Sequence, residues 1–108
     1  LLKRKAWDKP SFACLATRFP YGMRITKENL IKVDKAEAFL RSFGITQVRI
    51  RHHSQIARIE VLKDEIPKLL DEEVRDKIVS KFKKIGYAYI TIDLQGYRTG
   101  SMNEVLKL

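Results

Sequence analysis

Cys14 is the only thiol in this 108-residue chain. It stands in the run PSFACLATRFPYG, residues 10–22, whose two prolines and glycine prevent a single long regular element. The thiolate is the reactive form of cysteine, and a free thiol with a pKa of roughly 8.5 is only slightly ionised near neutral pH. Arg18, shortly after the thiol, would raise the ionised fraction. The plain structural alternative makes Cys14 a small buried hydrophobe between Ala13 and Leu15. A second constellation is cationic. Arg49, Arg51 and Arg58 lie on two alternating segments, and arginine suits phosphate or carboxylate because its planar fork donates two parallel hydrogen bonds.

The elements that position these residues follow from periodicity. Thr26 is a good N-cap, Glu28 places negative charge in the first turn, and Leu30, Val33, Ala36, Leu40 and Phe43 recur at helical spacing before Gly44. Glu37 shares a turn with Val33 and Leu40 and reads as a solvated charge or a rim carboxylate. Residues 47–52 and 56–61 alternate strictly and read as a hairpin turning at His53-Ser54. The alternation puts Val48 and Ile50 on one face with Ala57, Ile59 and Val61. Pairing Ile50 with Ala57 sets Arg49 opposite Arg58, an unfavourable like-charge pair unless an anion or a carboxylate such as Glu60 lies between them. The anion is the preferred reading.

Asp64 and Pro67 mark a short turn, and Asp71 begins a helix carrying Val74, Ile78, Phe82 and Ile85 and ending at Gly86. A last strand, 87–93, then points Ala88, Ile90, Ile92 and Leu94 to the core and Tyr87, Tyr89, Thr91 and Asp93 outward. Leu40, Phe43, Gly44, Val48 and Ile50 repeat at identical spacing as Phe82, Ile85, Gly86, Ile90 and Ile92. The expected fold class is α+β: a ferredoxin-like α-β-β-α-β unit, a small sheet with two helices on one face, its usual first strand missing or supplied near residues 12–16 or by a partner chain. The other face, open and lined by Arg49, Arg51, Arg58, Tyr89 and Asp93, would be the binding surface.

Composition narrows the partners. A formal net charge of +9 favours anions: a nucleotide, a phosphorylated small molecule or RNA. One cysteine forms no internal disulfide, which points to a reducing, cytoplasmic setting, and no run is long and apolar enough to cross a bilayer. Residues 1–9 read as a linker with Trp7 as a packing anchor. Residues 1–22 are taken as linker and cysteine-bearing loop, and 23–108 as the α+β domain. The opening on Leu1 without a methionine suggests a fragment. No Walker loop, dinucleotide fingerprint, serine-hydrolase elbow or cysteine pair is present, and His52 and His53, adjacent on a strand, point to opposite faces, so no metal site is assigned.

Four blocks in order, residues 10–22, VRIRHH at 48–53, ARIE at 57–60 and GYRTGSMNE at 96–104, resemble the C-terminal half of the LarE family. These are ATP-dependent sacrificial sulfur transferases of the PP-loop pyrophosphatase superfamily. The resemblance implies a missing N-terminal PP-loop domain that uses ATP with magnesium, so that the isolated chain would be inactive. It implies a pyridinium dicarboxylate mononucleotide as substrate, with Cys14 as sacrificial sulfur donor in nickel-pincer nucleotide cofactor synthesis. It further implies that Arg49 and Arg51 bind the substrate phosphate, and that Thr17 and Arg18 occupy a Ser-Arg position beside the thiol. Arg98 and Ser101 fall in the last block, Glu37 and Arg58 at its possible rim. Some members use three cysteines and an iron–sulfur cluster, a variant the single cysteine here disfavours. A phosphate or sulfate at the arginine face and a homo-oligomer are the expected partners, with no membrane. The competing readings are a basic RNA-binding module of a tRNA-thiolation type of enzyme, with Tyr87 and Tyr89 stacking on bases, and a purely oligomerising domain.

Overall fold

The computed structural model describes residues 16–99 together with 101 and 102. Cys14, Trp7, the linker at 1–9, the candidate strand residues 12–15 and the end of the last block at 103–104 lie outside the described residues.

Helix α1 spans Lys27–Arg41, and the Thr26 hydroxyl accepts the Asn29 N–H at 3.1 Å, as the capping signal predicts. Its buried stripe is Leu30, Val33, Ala36 and Leu40, with Glu37 set among them. Strand β1 is Val48–His53 and β2 is Ile56–Val61, antiparallel. After a 3₁₀ turn at Lys63–Glu65 come α2, Ile66–Leu70, and α3, Glu72–Ile85. Pro67 sits in the first turn of α2, where its missing N–H leaves no bond unmade. Asp64 makes no side-chain cap, but Asp71 caps α3 by accepting the Val74 N–H at 3.2 Å. Gly86 ends α3 at φ 127°, a conformation that favours glycine. Strand β3, Tyr89–Ile92, closes the order.

The result is the small α+β fold expected, a ferredoxin-like unit with a mixed sheet in the order β1-β2-β3, in which the short α2 precedes α3 where one helix was expected. β3 runs parallel to β2 and pairs with it directly, so no strand lies between them. Val48, Ile50, Ala57, Ile59 and Val61 all turn to the core, with Leu40, Phe82 and Leu69 packed on them. The internal repeat holds: Ile90 and Ile92 lie against the core in β3, as Val48 and Ile50 do in β1.

Four expectations are corrected. Ile50 faces Ile59, not Ala57; Arg49 faces Glu60; and Arg51, not Arg49, faces Arg58. Alternation sets which face a residue takes, and a two-residue shift leaves every face unchanged. The turn decides the register: pairing Ile50 with Ala57 would put the two-residue turn at His53-Ser54, whereas here Ser54-Gln55 form it, with Ser54 at φ 58°. Second, β3 is shorter than its alternation suggests. Ala88 and Leu94 are exposed and Tyr87 is buried, because they lie outside the paired residues 89–92. Third, Glu37 is buried rather than solvated. Fourth, the polar face of the sheet is closed at its centre, where Arg51 and Glu60 are 2% and 0% exposed, while Arg49 and Arg58 are half-buried and Tyr89 stays exposed.

The segment from Ala16 causes the closure at one side. It wraps the free edge of β1. The Thr17 carbonyl lies on the polar face, the Arg18 carbonyl accepts the His52 N–H at the edge, and Phe19 enters the core on the other side. There Phe19 and Tyr87 flank the buried His52 ring, with centroids at 4.9 and 5.5 Å, and the Tyr87 hydroxyl meets His52 Nδ1 at 2.9 Å. Burial, with smaller contributions from Lys32 and His53, pushes the His52 pKa down from 6.5 to about 4. Burial, then the Glu37 charge, pushes the Tyr87 hydroxyl well above its ordinary value.

His52 is therefore neutral in the fold, and the unfolded chain binds its proton first. Stability is full above the unfolded value of 6.5 and falls as pH drops toward about 4. The expected loss is roughly 3 kcal/mol across that window. His53, lowered in the same direction, adds to it. Urea titrations from pH 7.5 to pH 4 should show the slope, and His52→Asn should flatten it; a flat profile in the parent chain would contradict the assignment.

Candidate functional site

The charges of Arg51, Arg58, Glu60 and Asp93 on the polar face of the sheet meet one another. Arg51 Nε donates to Glu60 Oε1 at 2.9 Å, its Nη1 to the Thr17 carbonyl at 3.3 Å and its Nη2 to the Arg98 carbonyl at 2.8 Å. One guanidinium thus ties β1 to β2, to the segment just after Cys14 in sequence, and to the segment after β3. Glu60 is the opposite hub. Its second oxygen accepts from Arg58 Nη1 at 2.7 Å and from the Ser101 hydroxyl at 2.6 Å. Arg58 reaches Asp93 at 2.6 Å, and Arg98 reaches the same carboxylate oxygen at 3.1 Å. Burial alone would raise the Asp93 pKa, but the Gln95 N–H and the Arg98 and Arg58 guanidiniums outweigh it and hold the carboxyl below its usual range.

The like-charge opposition of Arg51 and Arg58 is therefore neutralised by Glu60 and Asp93, and needs no anion. Arg18, expected beside the thiol, clamps Glu37: Nε to Oε2 at 2.7 Å and Nη2 to Oε1 at 3.1 Å. Glu37 Oε2 also accepts the Ile50 N–H at 2.9 Å, so this carboxylate seals the edge of β1 and fixes Arg18 to α1. A buried, bidentate pair of this kind is specific in geometry.

The predicted arginines thus divide. Arg18, Arg51, Arg58 and Arg98 each meet a carboxylate. Arg49 is different. Among the described residues it meets no carboxylate in an ion pair; it donates to its neighbouring Val48 carbonyl at 2.8 Å and lies over the Tyr97 ring at 5.1 Å. Among the described residues, Arg51, Arg58 and Arg98 meet two carboxylates, Glu60 and Asp93, and Arg49 lies beside them, an excess of positive charge within the described layer. Such a layer attracts anions.

Beside it lies a mostly apolar cleft of about 370 Å³, lined by Thr17, Phe19, Pro20, Met23, Ile25, Thr99 and Met102 among others. It begins at Ala16 and lies between the two segments that Arg51 holds together. Thr17 is exposed at this cleft, while Ser101 is buried on Glu60. Met102 Sδ meets Arg58 Nη2 at 3.4 Å. Among the described residues no group of three His, Cys, Asp or Glu is placed to hold a metal ion, and no helix is long and apolar enough to cross a membrane.

Sequence reasoning placed Asp93 on the arginine face but did not foresee Tyr97 or Met102 there, and it left Glu60 as one of two ways to neutralise it. The signal for Glu37 was present: a carboxylate four residues after Val33 and three before Leu40 lies on the buried stripe.

No family model matches the chain. It is 43% identical over 100 residues to an uncharacterised protein of Synechocystis sp., covering 93% of this chain and 37% of that protein. It is 39% identical over 100 residues to the pyridinium-3,5-bisthiocarboxylic acid mononucleotide synthase of Lactiplantibacillus plantarum, covering 93% of this chain and 36% of the synthase. An uncharacterised protein of Methanocaldococcus jannaschii is 34% identical over 90 residues, which is 83% of this chain and 34% of that protein. The chain thus spans about a third of the length of these relatives, and over nearly all of its own length it is related to a LarE-type synthase.

Proposed function

We propose that this chain is the C-terminal, sulfur-donating part of an ATP-dependent sacrificial sulfur transferase of the LarE type. The observation that carries the reading is the 39% identity to the synthase over 93% of the chain, a match that includes the segment following Cys14. In the proposed reaction the Cys14 thiolate attacks a substrate carbonyl already activated as an acyl-adenylate, AMP leaves, and a thioester forms. A base then removes the cysteine α-proton. The Cβ–S bond breaks with its electron pair on sulfur, leaving a thiocarboxylate on the pyridinium ring and dehydroalanine in the protein. ATP and magnesium would act in a PP-loop domain; no glycine-rich phosphate loop occurs in this chain, and no step here runs through them.

The chain's own residues have three tasks in this scheme. Arg51 and Glu60 hold Thr17, three residues after the sulfur donor in sequence, in fixed relation to Arg98 and Ser101. The apolar cleft between those segments suits a flat aromatic ring. Arg49 holds the cation that the layer leaves available, so the substrate phosphate is assigned to it rather than to Arg51 or Arg18, whose donors are engaged.

Titration calorimetry of the full-length protein with the pyridinium dicarboxylate mononucleotide tests the reading. Saturable binding is expected, and Arg49→Ala should weaken it by about 1.5–3 kcal/mol, the worth of a charged hydrogen bond. Absence of mononucleotide binding, together with RNA affinity that collapses steeply with salt, would instead favour the RNA-binding alternative, for which the exposed Tyr89 and the charge of +9 are the supporting features.

A further inference from the structure

Arg49 stands directly across the strand pair from Glu60, yet the two form no ion pair. Glu60 accepts from Arg51, Arg58 and Ser101 instead. What Arg49 meets is the Tyr97 ring. Its guanidinium carbon lies 5.1 Å from the ring centroid, and that of Arg51 lies 5.8 Å from the same centroid. Arg49 and Arg51 are two positions apart on β1 and share a face, where like charges repel. The electron-rich face of an aromatic ring attracts cations and offsets that repulsion.

The ring is anchored from both sides. The turn at 93–96 delivers it: the Gly96 N–H donates to the Asp93 carbonyl at 3.0 Å, and the Tyr97 N–H donates to the Val61 carbonyl at 2.8 Å. Gly96 has φ 82°, and a Cβ there would stand 3.0 Å from the Val61 carbonyl oxygen, so a side chain would hold this turn off β2. After Tyr97, the Arg98 carbonyl accepts from Arg51, whose other two nitrogens donate to Glu60 and to the Thr17 carbonyl. Arg51 and the ring are thus fixed. Arg49 makes one hydrogen bond among the described residues, from Nη1 to the Val48 carbonyl, and keeps its other donors.

We propose that Tyr97 is the positioning residue for Arg49: its ring holds the guanidinium away from Glu60 and leaves the in-plane N–H donors for an anion, which, on the function proposed above, is the substrate phosphate. A carboxylate partner would occupy those donors, whereas an aromatic face does not.

Titration calorimetry of the full-length protein with the pyridinium dicarboxylate mononucleotide tests this in variants of Tyr97. Tyr97→Leu should raise the dissociation constant about three- to tenfold, and Tyr97→Phe, which keeps the ring, should restore parental affinity. In an Arg49→Ala background Tyr97→Leu should change nothing further, because the ring acts through Arg49. Crystal structures of the ligand-free parent and Tyr97→Leu proteins give a readout independent of the ligand: without the ring, Arg49 should turn to Glu60. A loss of affinity in Tyr97→Phe equal to that in Tyr97→Leu would make the hydroxyl a direct ligand contact and overturn the proposal. So would an effect of Tyr97→Leu that persists without Arg49, or an Arg49 that keeps its orientation when the ring is gone. If the parent binds no mononucleotide, the substrate reading fails by itself, and the turn of Arg49 still decides the role of Tyr97.

Discussion

Replacing Cys14 with alanine in the full-length protein is expected to abolish thiocarboxylate formation while leaving ATP-dependent activation of the substrate carboxylate intact. The two halves of this result come from different chemistry. Adenylation needs only the carboxylate and ATP, whereas transfer needs a sulfur atom, and this chain contains one thiol. A thiol that loses its sulfur to the product cannot be regenerated by the reaction itself. In the parent protein product should therefore plateau at one thiocarboxylate per polypeptide even with excess substrate. The spent protein should be lighter by the mass of hydrogen sulfide, localised by peptide mapping to the tryptic peptide that contains Cys14. Sulfur transfer by the alanine variant would make Cys14 structural. Many turnovers with an unchanged Cys14 peptide would mean that the sulfur comes from an external donor.

Glu60→Ala should be the most damaging single substitution for stability. Glu60 is fully buried and accepts from Arg51, Arg58 and Ser101. Removing it leaves the Arg51 guanidinium, itself 2% exposed, inside the protein without a counter-charge and facing Arg58 across the strand pair. Breaking a buried pair in this way costs about 3–5 kcal/mol, against about 5–15 kcal/mol for the stability of a whole domain. Urea unfolding should show the loss directly. Replacing both partners, as in Arg51→Met with Glu60→Leu, should recover much of it, since a buried ion pair is worth little against apolar residues of similar size. A Glu60→Ala midpoint close to that of the parent would mean that Arg51 finds other compensation. The double variant carries a second reading. It gives up the hydrogen bonds from Arg51 to the Thr17 and Arg98 carbonyls, so if those bonds position the donor loop, stability should return without the rate of sulfur transfer.

The sequence by itself determined the elements, the faces and the repeat. Hydrophobic spacing placed α1 and α3, Thr26 and Asp71 marked their starts, and strict alternation assigned Val48, Ile50, Ala57, Ile59 and Val61 to one face of a hairpin. These are local properties, set by the 3.6-residue and two-residue periods of the backbone. The single thiol and the order of the four blocks are likewise properties of sequence alone. Tertiary structure decided the rest, because each remaining question depended on what lies opposite a residue. Register turned on the Ser54-Gln55 turn, since alternation is blind to a two-residue shift. Whether Arg18, Arg51 and Arg58 were open to a ligand depended on Glu37, Glu60 and Asp93, of which Glu37 and Asp93 lie on other elements. Tyr87 left the solvent side because His52, thirty-five positions earlier, offers it a buried partner. Arg49 is singled out among the layer's arginines only when the carboxylate partners of the others are seen in place. A guanidinium reads the same in any sequence; whether a carboxylate or carbonyl from a distant segment has already taken its donors is a matter of the folded chain.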